Sequence, residues 1–311
     1  MKRLEKVFTA LGTVNDISVT IPESETENAG CALHEIRNYV NDMDDRLSVF
    51  KPGSLVSRIN QNAGEEPISV DEDTFRLLQL SQKYAFLTKG AFDITVRRQT
   101  EAWRGARDGH PVPVSKPAGC QHLVLDEGNH SAFLTDAGEG IDLGGIAKGY
   151  AVSHALEILR QANIKEAVLN FGGSTAILGP AQPIGIRNPF LPVNRNASSE
   201  SIGEVFCRDE IIITSGIYEQ YFSDQGTIRH HIIDPKTGVS SQSDLISATL
   251  IGKNGALLDA LATACIVVGM EKSIELCQEN QIEAVFILHN GSLFATNGLQ
   301  NRFRIRKESL L

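Results

Sequence analysis

Residues 257–268 are LLDALATACIVV, an almost uninterrupted apolar run that predicts a buried helix. Its carboxylate and its hydroxyl come from Asp259 and Thr263. Because these residues stand four positions apart, a helix projects both oxygens from one face, one turn apart. An ionised Asp is rarely buried without a partner. The segment therefore predicts either a hydrogen-bond network or a cation at Asp259.

The ligand chemistry at Asp259 narrows the choice of cation. Carboxylate and hydroxyl oxygens without a neighbouring His or Cys pair favour a hard ion such as Mg²⁺ or Ca²⁺ over Zn²⁺. Hydrogen bonds from backbone or water also satisfy many lone buried carboxylates. From this segment alone, both interpretations stay open.

The composition is that of a folded soluble protein with a sizeable core. Of 311 residues, 41% are hydrophobic and 22% charged, which allows one large domain or two ordinary ones. A net charge of −9 and a pI near 5.4 argue against nucleic-acid binding and against a basic membrane-binding surface. Five scattered cysteines without a CxxC pair favour reduced thiols over a disulfide framework.

We expect a cytoplasmic protein with no stable membrane insertion. The first residues, MKRLEKVFT, are partly basic but lack an apolar core of signal-peptide length, and they contain no lipobox cysteine. The sequence has no run of about 18 apolar residues to span a bilayer. If an export segment has been removed, the expected location is the periplasm.

Helical and strand patterns follow one another irregularly. Apolar spacing predicts helices at 31–49, 71–87, 148–162, 257–268 and 272–278. Strands are predicted within 8–21 around Gly12, at 122–125 and 132–135 as a hairpin, and at 167–171, 210–214, 229–233, 245–251 and 284–289. Polar loops are predicted at 104–118 and 191–201. Because strict βαβα alternation is missing, we expect an α+β fold of mixed or antiparallel sheets packed with helices.

Residues 141–150, IDLGGIAKGY, form a glycine-rich turn that opens a helix. Glycines let the backbone approach a ligand, and a helix N-terminus offers free N–H groups and a positive dipole end. This combination suits a phosphate or pyrophosphate. The spacing matches neither Walker A nor GxGxxG. A tight turn at the start of a helix explains the glycines about as well.

Residues 230–238, HHIIDPKTG, end a strand in a turn. A His at a strand end can serve as a general base near neutral pH. His230 and His231 would face opposite sides of the strand, so at most one shares a site with Asp234. Two edge-strand histidines beside an ordinary Asp-Pro turn are the alternative. The basic residues Arg104, Arg107 and Lys116 similarly suit phosphate, but a solvated loop is the preferred interpretation for them.

In combination and in order, these segments resemble the FAD:protein FMN transferase family, known as ApbE. The similar blocks are LGT (11–13), AFDITV (91–96), IDLGGIAKGYA (141–151), LNFGGSTAILG (169–179), TSGIYEQYF (214–222), HHIIDPKTG (230–238) and DALATA (259–264). The early stretch SVFKP, followed by SRIN at 57–60, is also similar. Several blocks in the same order identify a family far more specifically than any single block does.

The resemblance implies one such domain over residues 1–311, undivided or in two lobes with the active site between them, and a T-fold-like flavin transferase architecture. The implied activity is Mg²⁺-dependent transfer of FMN from FAD to a Thr or Ser hydroxyl of an acceptor flavoprotein, releasing AMP. Mn²⁺ is an alternative to Mg²⁺. The chain contains no family-like acceptor motif, so the acceptor hydroxyl is expected on another protein.

The resemblance also implies roles for single residues. Asp259 and Thr263 match the family's metal ligands, with Gly145 adding a backbone carbonyl. His231 matches the His of the H-x-I-D-P block, and we expect it to deprotonate the acceptor hydroxyl, oriented by Asp234. Positions that match residues around FAD are Leu11, Phe50, Ala91, Phe92, Asp93, Asp142, Lys148, Ile233 and Ala262. Core packing or turn chemistry is the alternative for each of them.

Three positions depart from the family pattern. Leu11 replaces the usual Met, which is conservative packing. Ser174 stands where many relatives carry Asp or Asn, and Ile217 where a polar or acidic residue is frequent. These two are expected to weaken polar contacts near the flavin or to change the acceptor preference.

Two other functions use the same residues. With water as acceptor, the protein would be an FAD pyrophosphatase that gives FMN and AMP. Without chemistry, it would be an FAD-binding protein. The combination of a base with a metal pair favours catalysis, because storing FAD needs neither.

Overall fold

The computed structural model describes residues 1–110, 117–191 and 201–306. The helices are α1 (Thr26–Leu47), α2 (Leu55–Gln61), α3 (Glu72–Leu87), α4 (Arg97–Arg107), α5 (Ala147–Gln161), α6 (Gly255–Val268) and α7 (Met270–Glu279). The strands are β1 (Lys2–Ala10), β2 (Thr13–Ile21), β3 (Ile68–Ser69), β4 (Leu123–Asp126), β5 (Ser131–Leu134), β6 (Ala167–Phe171), β7 (Ser174–Leu178), β8 (Gln182–Arg187), β9 (Ser201–Cys207), β10 (Ile211–Gly216), β11 (Tyr221–Asp224), β12 (Thr227–His230), β13 (Leu245–Gly252), β14 (Glu283–Leu288), β15 (Leu293–Ala295) and β16 (Phe303–Ile305).

The strands form one large sheet and three small ones. The large sheet has the order β1-β2-β6-β7-β10-β13-β14-β15, and all of its neighbours pair antiparallel. Strands β16-β9-β8 and β3-β5-β4 form two three-stranded sheets, and β11 pairs only with β12 within the described residues. These antiparallel sheets, packed with helices, confirm the predicted α+β fold. Whether the chain is one unit or two lobes stays a prediction.

Helix α6 is apolar except for Asp259 and Thr263 on one face, and it lies in the centre of the core. Its side chains pack against β10 and β13 on the large sheet and against α3, α5 and α7. The Asn254 side chain caps the helix by accepting the N–H of Leu257 at 3.1 Å. Gly269, at φ +81°, ends it. A helix this apolar is stable only when most of its surface is buried, and ten of its fourteen residues are buried here.

Helices α5 and α6 approach each other through two glycines. A Cβ on Gly149 would collide with the backbone oxygen of Gly255 and would come within 2.7 Å of the Asp259 Cβ. A Cβ on Gly255 would likewise collide with the Gly149 oxygen. The Ser153 hydroxyl also accepts the N–H of Gly255 at 2.9 Å, which satisfies one free donor at the start of α6. The first turn of α5 therefore lies directly against Asp259.

The β1–β2 hairpin turns through Leu11 and Gly12. Their φ angles are +52° and +70°, as in a two-residue hairpin turn of type I′. A positive φ is unusual for leucine. The N–H of Leu11 donates to Asp44 Oδ1 on α1 at 2.9 Å, which holds the residue in place.

Most predicted helices and strands are confirmed, and two predictions need correction. The loop predicted at 104–118 is helical in its first residues, which belong to α4; residues 111–116 lie outside the described part of the chain. Helix α4 buries only Gln99 and Trp103, so its apolar pattern is too sparse to detect. The strand expected at 229–233 ends at His230. Of the polar excursion at 191–201, residues 192–200 lie outside the described residues.

The described helices include none with both the length and the apolarity that crossing a membrane requires.

Replacing Gly149 with Ala should destabilise the protein by about 1–3 kcal/mol, because the added methyl group overpacks the α5–α6 contact. The matched control is Gly30→Ala in α1, where a Cβ meets no atom within 4 Å. That variant should gain about 0.5–1 kcal/mol from the higher helix propensity of alanine. Urea unfolding measures both free energies. Equal effects of the two substitutions would contradict the close crossing.

Candidate active site

A cavity of about 690 Å³ opens between the β1–β2 turn, the start of α5, the polar face of α6 and the end of β12. Every candidate site residue from the sequence lines it, except Phe50 and Ala262. Ala262 is fully buried in the core, and Phe50 is 70% exposed beside the cavity-lining Arg104. A second depression, about 610 Å³ between α1 and α5, contains none of the candidate residues. Cofactor-sized ligands occupy cavities of such volume.

Asp259 connects α6 to the start of α5. It is 3% exposed, and its Oδ2 accepts the N–H of Gly149 at 2.9 Å. Gly149 lies in the first turn of α5, where Ile146 provides no side-chain cap. Asp259 thus caps α5 from a different helix, and its negative charge lies at the positive end of the helix dipole. Its other oxygen, Oδ1, has no hydrogen-bond partner among the described residues.

Thr263 and Gly145 lie next to this carboxylate. The Thr263 hydroxyl donates its proton to the backbone oxygen of Asp259 at 3.1 Å, so its lone pairs remain available. A Cβ on Gly145 would lie 3.3 Å from the Thr263 Oγ1, which places the Gly145 backbone against this hydroxyl. Carboxylate, hydroxyl and backbone oxygens are the donors that Mg²⁺ and Ca²⁺ prefer. The donor set therefore fits a hard divalent cation.

The glycine-rich turn is fixed by Asp142. Its Oδ1 accepts the N–H of Gly144 at 3.0 Å, and its Oδ2 accepts from Thr100 Oγ1 and Arg104 Nη2, both at 3.3 Å. These contacts fasten the turn to α4. The Lys148 ammonium donates to the carbonyl of Gly144 at 3.1 Å.

The start of α5 offers fewer free N–H groups than the sequence suggested. The N–H of Ala147 donates to the Leu143 carbonyl at 2.9 Å, and that of Gly149 is taken by Asp259. A phosphate here would depend on the ammonium of Lys148 more than on a row of backbone donors.

Asp93 already has protein donors on both oxygens. Oδ1 accepts the N–H and the hydroxyl of Thr95 at 2.8 and 2.7 Å, and Oδ2 accepts the N–H of Cys120 at 2.8 Å. Its observed contacts fix the backbone of the segment 91–95 beside the cavity. Only lone pairs left by these bonds remain for a ligand.

His231 faces the cavity with one ring nitrogen already bound. Its Nδ1 lies 3.2 Å from the backbone carbonyl of Gln220, which can only accept, so we assign the proton to Nδ1 and the free lone pair to Nε2. Burial lowers the pKa of His231, and the charges of Lys148 and Arg104 lower it further. The Nε2 is therefore a free base at neutral pH.

The expectation that Asp234 orients His231 is wrong. Asp234 Oδ1 accepts the N–H of Lys236 at 2.9 Å within its own turn. The carbonyl of Gln220 orients the ring instead.

His230 points away from the cavity and is buried. It is 4% exposed, and its Nε2 contacts the Ser241 carbonyl at 3.0 Å. Its Nδ1 has no hydrogen-bond partner in the described part of the chain. Burial lowers the pKa of His230 to about 4. It is a neutral structural residue.

Two residues of α4 that the predicted site does not contain also line the cavity. Trp103 carries no signal in the sequence, and Arg104 lies at the start of the predicted loop, where a solvated side chain is the preferred interpretation. The Trp103 ring lies edge-on to His231 with 6.3 Å between centroids. Trp103 also contacts Phe222 of β11 at 5.9 Å. Gln220 contacts His231 through its backbone carbonyl, which every residue type has, so the sequence gives no sign of this contact.

Ser174 and Ile217, the two departures expected to affect polar contacts, lie in the core and not in the cavity wall. Ser174 is fully buried, and its hydroxyl has no hydrogen-bond partner among the described residues. Ile217 is 7% exposed. Neither lines the cavity. The expectation that they alter polar contacts near a flavin therefore has no support in the geometry.

Comparisons with known proteins confirm the family resemblance. The model of the ApbE family matches residues 11–286. The FAD:protein FMN transferase of Klebsiella pneumoniae (strain 342) is 31% identical over 271 residues, 84% of this chain and 83% of that protein. The protein of the same name from Treponema pallidum (strain Nichols) is 31% identical over 300 residues, 88% and 82% of the two chains. The crystal structure of the ApbE protein from Thermotoga maritima superposes with a TM-score of 0.84 at 29% identity, covering 97% of this chain and 100% of that one.

His230 should make the folded state less stable in acid. Its pKa is 6.5 in the unfolded chain and about 4 when folded. Its contribution is therefore complete above pH 6.5 and is lost as pH falls towards 4, because only the unfolded chain then binds the proton. Between pH 7 and pH 5 the loss should be about 2 kcal/mol. Urea unfolding of the wild type should show this loss, and His230→Gln, which keeps a donor for Ser241, should lack it.

Proposed function

The chain belongs to the ApbE family, and we propose that it transfers the FMN moiety of FAD to a Thr or Ser hydroxyl of an acceptor flavoprotein, releasing AMP. One observation carries the proposal: His231, with a free Nε2, and the oxygen donors Asp259 and Thr263 line the same cavity. A base and a hard-cation site together are what phosphoryl-type transfer to a hydroxyl requires.

The proposed metal is Mg²⁺, with Mn²⁺ as an alternative. Asp259 Oδ1, Thr263 Oγ1 and the Gly145 carbonyl would hold it. When bound, the ion supplies charge neutralisation at the pyrophosphate of FAD. Asp259 would serve both the ion and the cap of α5, one with each oxygen.

The chemical step assigns the proton to His231. The acceptor hydroxyl gives its proton to Nε2 while its oxygen forms a bond to the flavin-side phosphorus of FAD. The bond from this phosphorus to the bridging oxygen breaks, and the electron pair leaves with AMP. The Gln220 carbonyl keeps Nδ1 as the donor and stabilises the resulting imidazolium. Lys148 would balance phosphate charge at the start of α5.

The same cavity suits two alternatives. Water in place of the hydroxyl would give FMN and AMP, and a protein without turnover would only bind FAD. Mass spectrometry after incubation with FAD, Mg²⁺ and a Thr-containing acceptor domain separates all three. An acceptor heavier by one FMN phosphoester, with AMP released, supports transfer. AMP and free FMN with an unlabelled acceptor support hydrolysis, and intact FAD supports binding alone.

Replacing His231 with Ala should lower the transfer rate by about 10²- to 10⁴-fold, because the acceptor hydroxyl loses its base. The affinity for FAD should change little. Stopped assays of labelled acceptor give the rate, and fluorescence titration gives the affinity. His230→Gln is the control beside it, since His230 does not line the cavity. A His231→Ala protein with full transfer rate would exclude the proposed base.

Replacing Asp259 with Asn should raise the Mg²⁺ concentration for half-maximal transfer at least about tenfold. The amide oxygen can still accept the N–H of Gly149, so the α5 cap and the fold should persist. Thr263→Val, which removes the hydroxyl at similar volume, should act in the same direction. Metal titration of the transfer rate measures the change, and melting curves verify the fold. An unchanged Mg²⁺ requirement in both variants would place the ion elsewhere.

A further inference from the structure

The aromatic ring of Phe50 lies beside the cavity with one face covered. Phe50 is 70% exposed, in a turn where its N–H donates to the Ser48 hydroxyl at 3.2 Å. The Arg104 guanidinium carbon lies 4.7 Å from the ring centroid, over one face. A single exposed ring needs no explanation by itself. Because Phe50 remains 70% exposed with Arg104 in place, most of its ring surface is open to a ligand.

Arg104 connects this ring to the glycine-rich turn. Its Nη2 donates to Asp142 Oδ2 at 3.3 Å, and the two side chains are 27% and 12% exposed. A guanidinium combines stacking and ion pairing because it is planar and permanently charged. One residue thereby fixes Phe50 and Asp142 relative to each other, although they lie in segments far apart in the chain.

Arg104 combines a buried donor that lacks a partner in the described part of the chain with a position in the cavity wall. Its Nη1 is buried without a hydrogen-bond partner among the residues that the structure describes, which is costly for a charged donor. The residue also lines the cavity together with Lys148 and His231. Arg97 also has a buried Nη1 without a partner within the described ranges, but it does not line the cavity, so the position of Arg104 is what points to a role in ligand binding.

We propose that Arg104 is a positioning residue for FAD binding: by stacking on Phe50 and pairing with Asp142, it holds the free face of Phe50 ready to stack on a planar ring of the dinucleotide. The inference rests on the proposed function, since FAD is the ring ligand. Adenine and isoalloxazine are both planar, so AMP and FMN serve as separate probes of which ring stacks there.

The test is a double-mutant cycle of FAD binding, measured by quenching of flavin fluorescence. Arg104→Ala and Phe50→Ala should each weaken FAD binding by about 3- to 30-fold. The double variant should be little weaker than the poorer single variant, because Arg104 acts through Phe50. KM for FAD should rise in parallel, while kcat at saturating FAD stays within about twofold.

Two further variants make the test specific. Arg107→Ala is the matched control, because Arg107 stacks on Trp103 at 5.5 Å on the same helix but does not line the cavity. It should bind FAD as the wild type does. Arg104→Lys keeps the charge for Asp142 but not the planar stack, so it should recover part of the affinity and guards against misfolding of the Ala variant.

The outcomes separate the inference from the proposed function. Wild-type affinity for FAD in Arg104→Ala, additive losses in the double variant, or an equal loss in Arg107→Ala would each overturn the inference. A wild-type protein that binds FAD with this coupling but labels no acceptor would overturn the proposed function alone. A wild-type protein that binds no FAD overturns both. Weakened binding of AMP but not FMN in Arg104→Ala assigns the ring as adenine, and the reverse assigns it as isoalloxazine.

Discussion

One carboxylate joins the architecture of this protein to its chemistry. Asp259 gives one oxygen to the N–H of Gly149 and leaves the other beside Thr263. The hydrogen bond can form only because Gly149 and Gly255 let α5 and α6 approach so closely. The distance between two helices therefore decides the position of the proposed metal ligand. A change in the packing of α5 on α6 would therefore also move the carboxylate of Asp259.

The parts of the fold that depend on local patterns could be predicted from the sequence. The apolar run 257–268 can be stable only in a core, and it forms the central helix. The alternation around Gly12 gives the β1–β2 hairpin, and the pattern at 71–87 gives α3 with Asp71 as its cap. The candidate residues of the site were found because the family blocks keep their order along the chain, and most of them line one cavity.

The parts that depend on contacts between distant segments could not be predicted. The cap that Asp259 provides to α5 spans 110 residues of sequence. The partner of His231 is the backbone of Gln220, and every residue type has a carbonyl there. Helix α4 has too few apolar residues to show periodicity, so Arg104 was assigned to a loop. Asp234 lies close to His231 in sequence, but its carboxylate accepts a hydrogen bond within its own turn instead of contacting the histidine.

The β11–β12 ribbon, which ends at the proposed base, is the least self-sufficient part of the sheet structure. Two strands alone are marginally stable in water, and within the described residues this pair has no third strand. Its support comes from Trp103 on α4, which touches Phe222 on one strand and His231 just after the other. The ring of the proposed base is thus held by the Gln220 carbonyl and by an aromatic side chain on a neighbouring helix. We therefore expect substitutions on α4 that move Trp103 to change the turnover rate before they change the melting temperature.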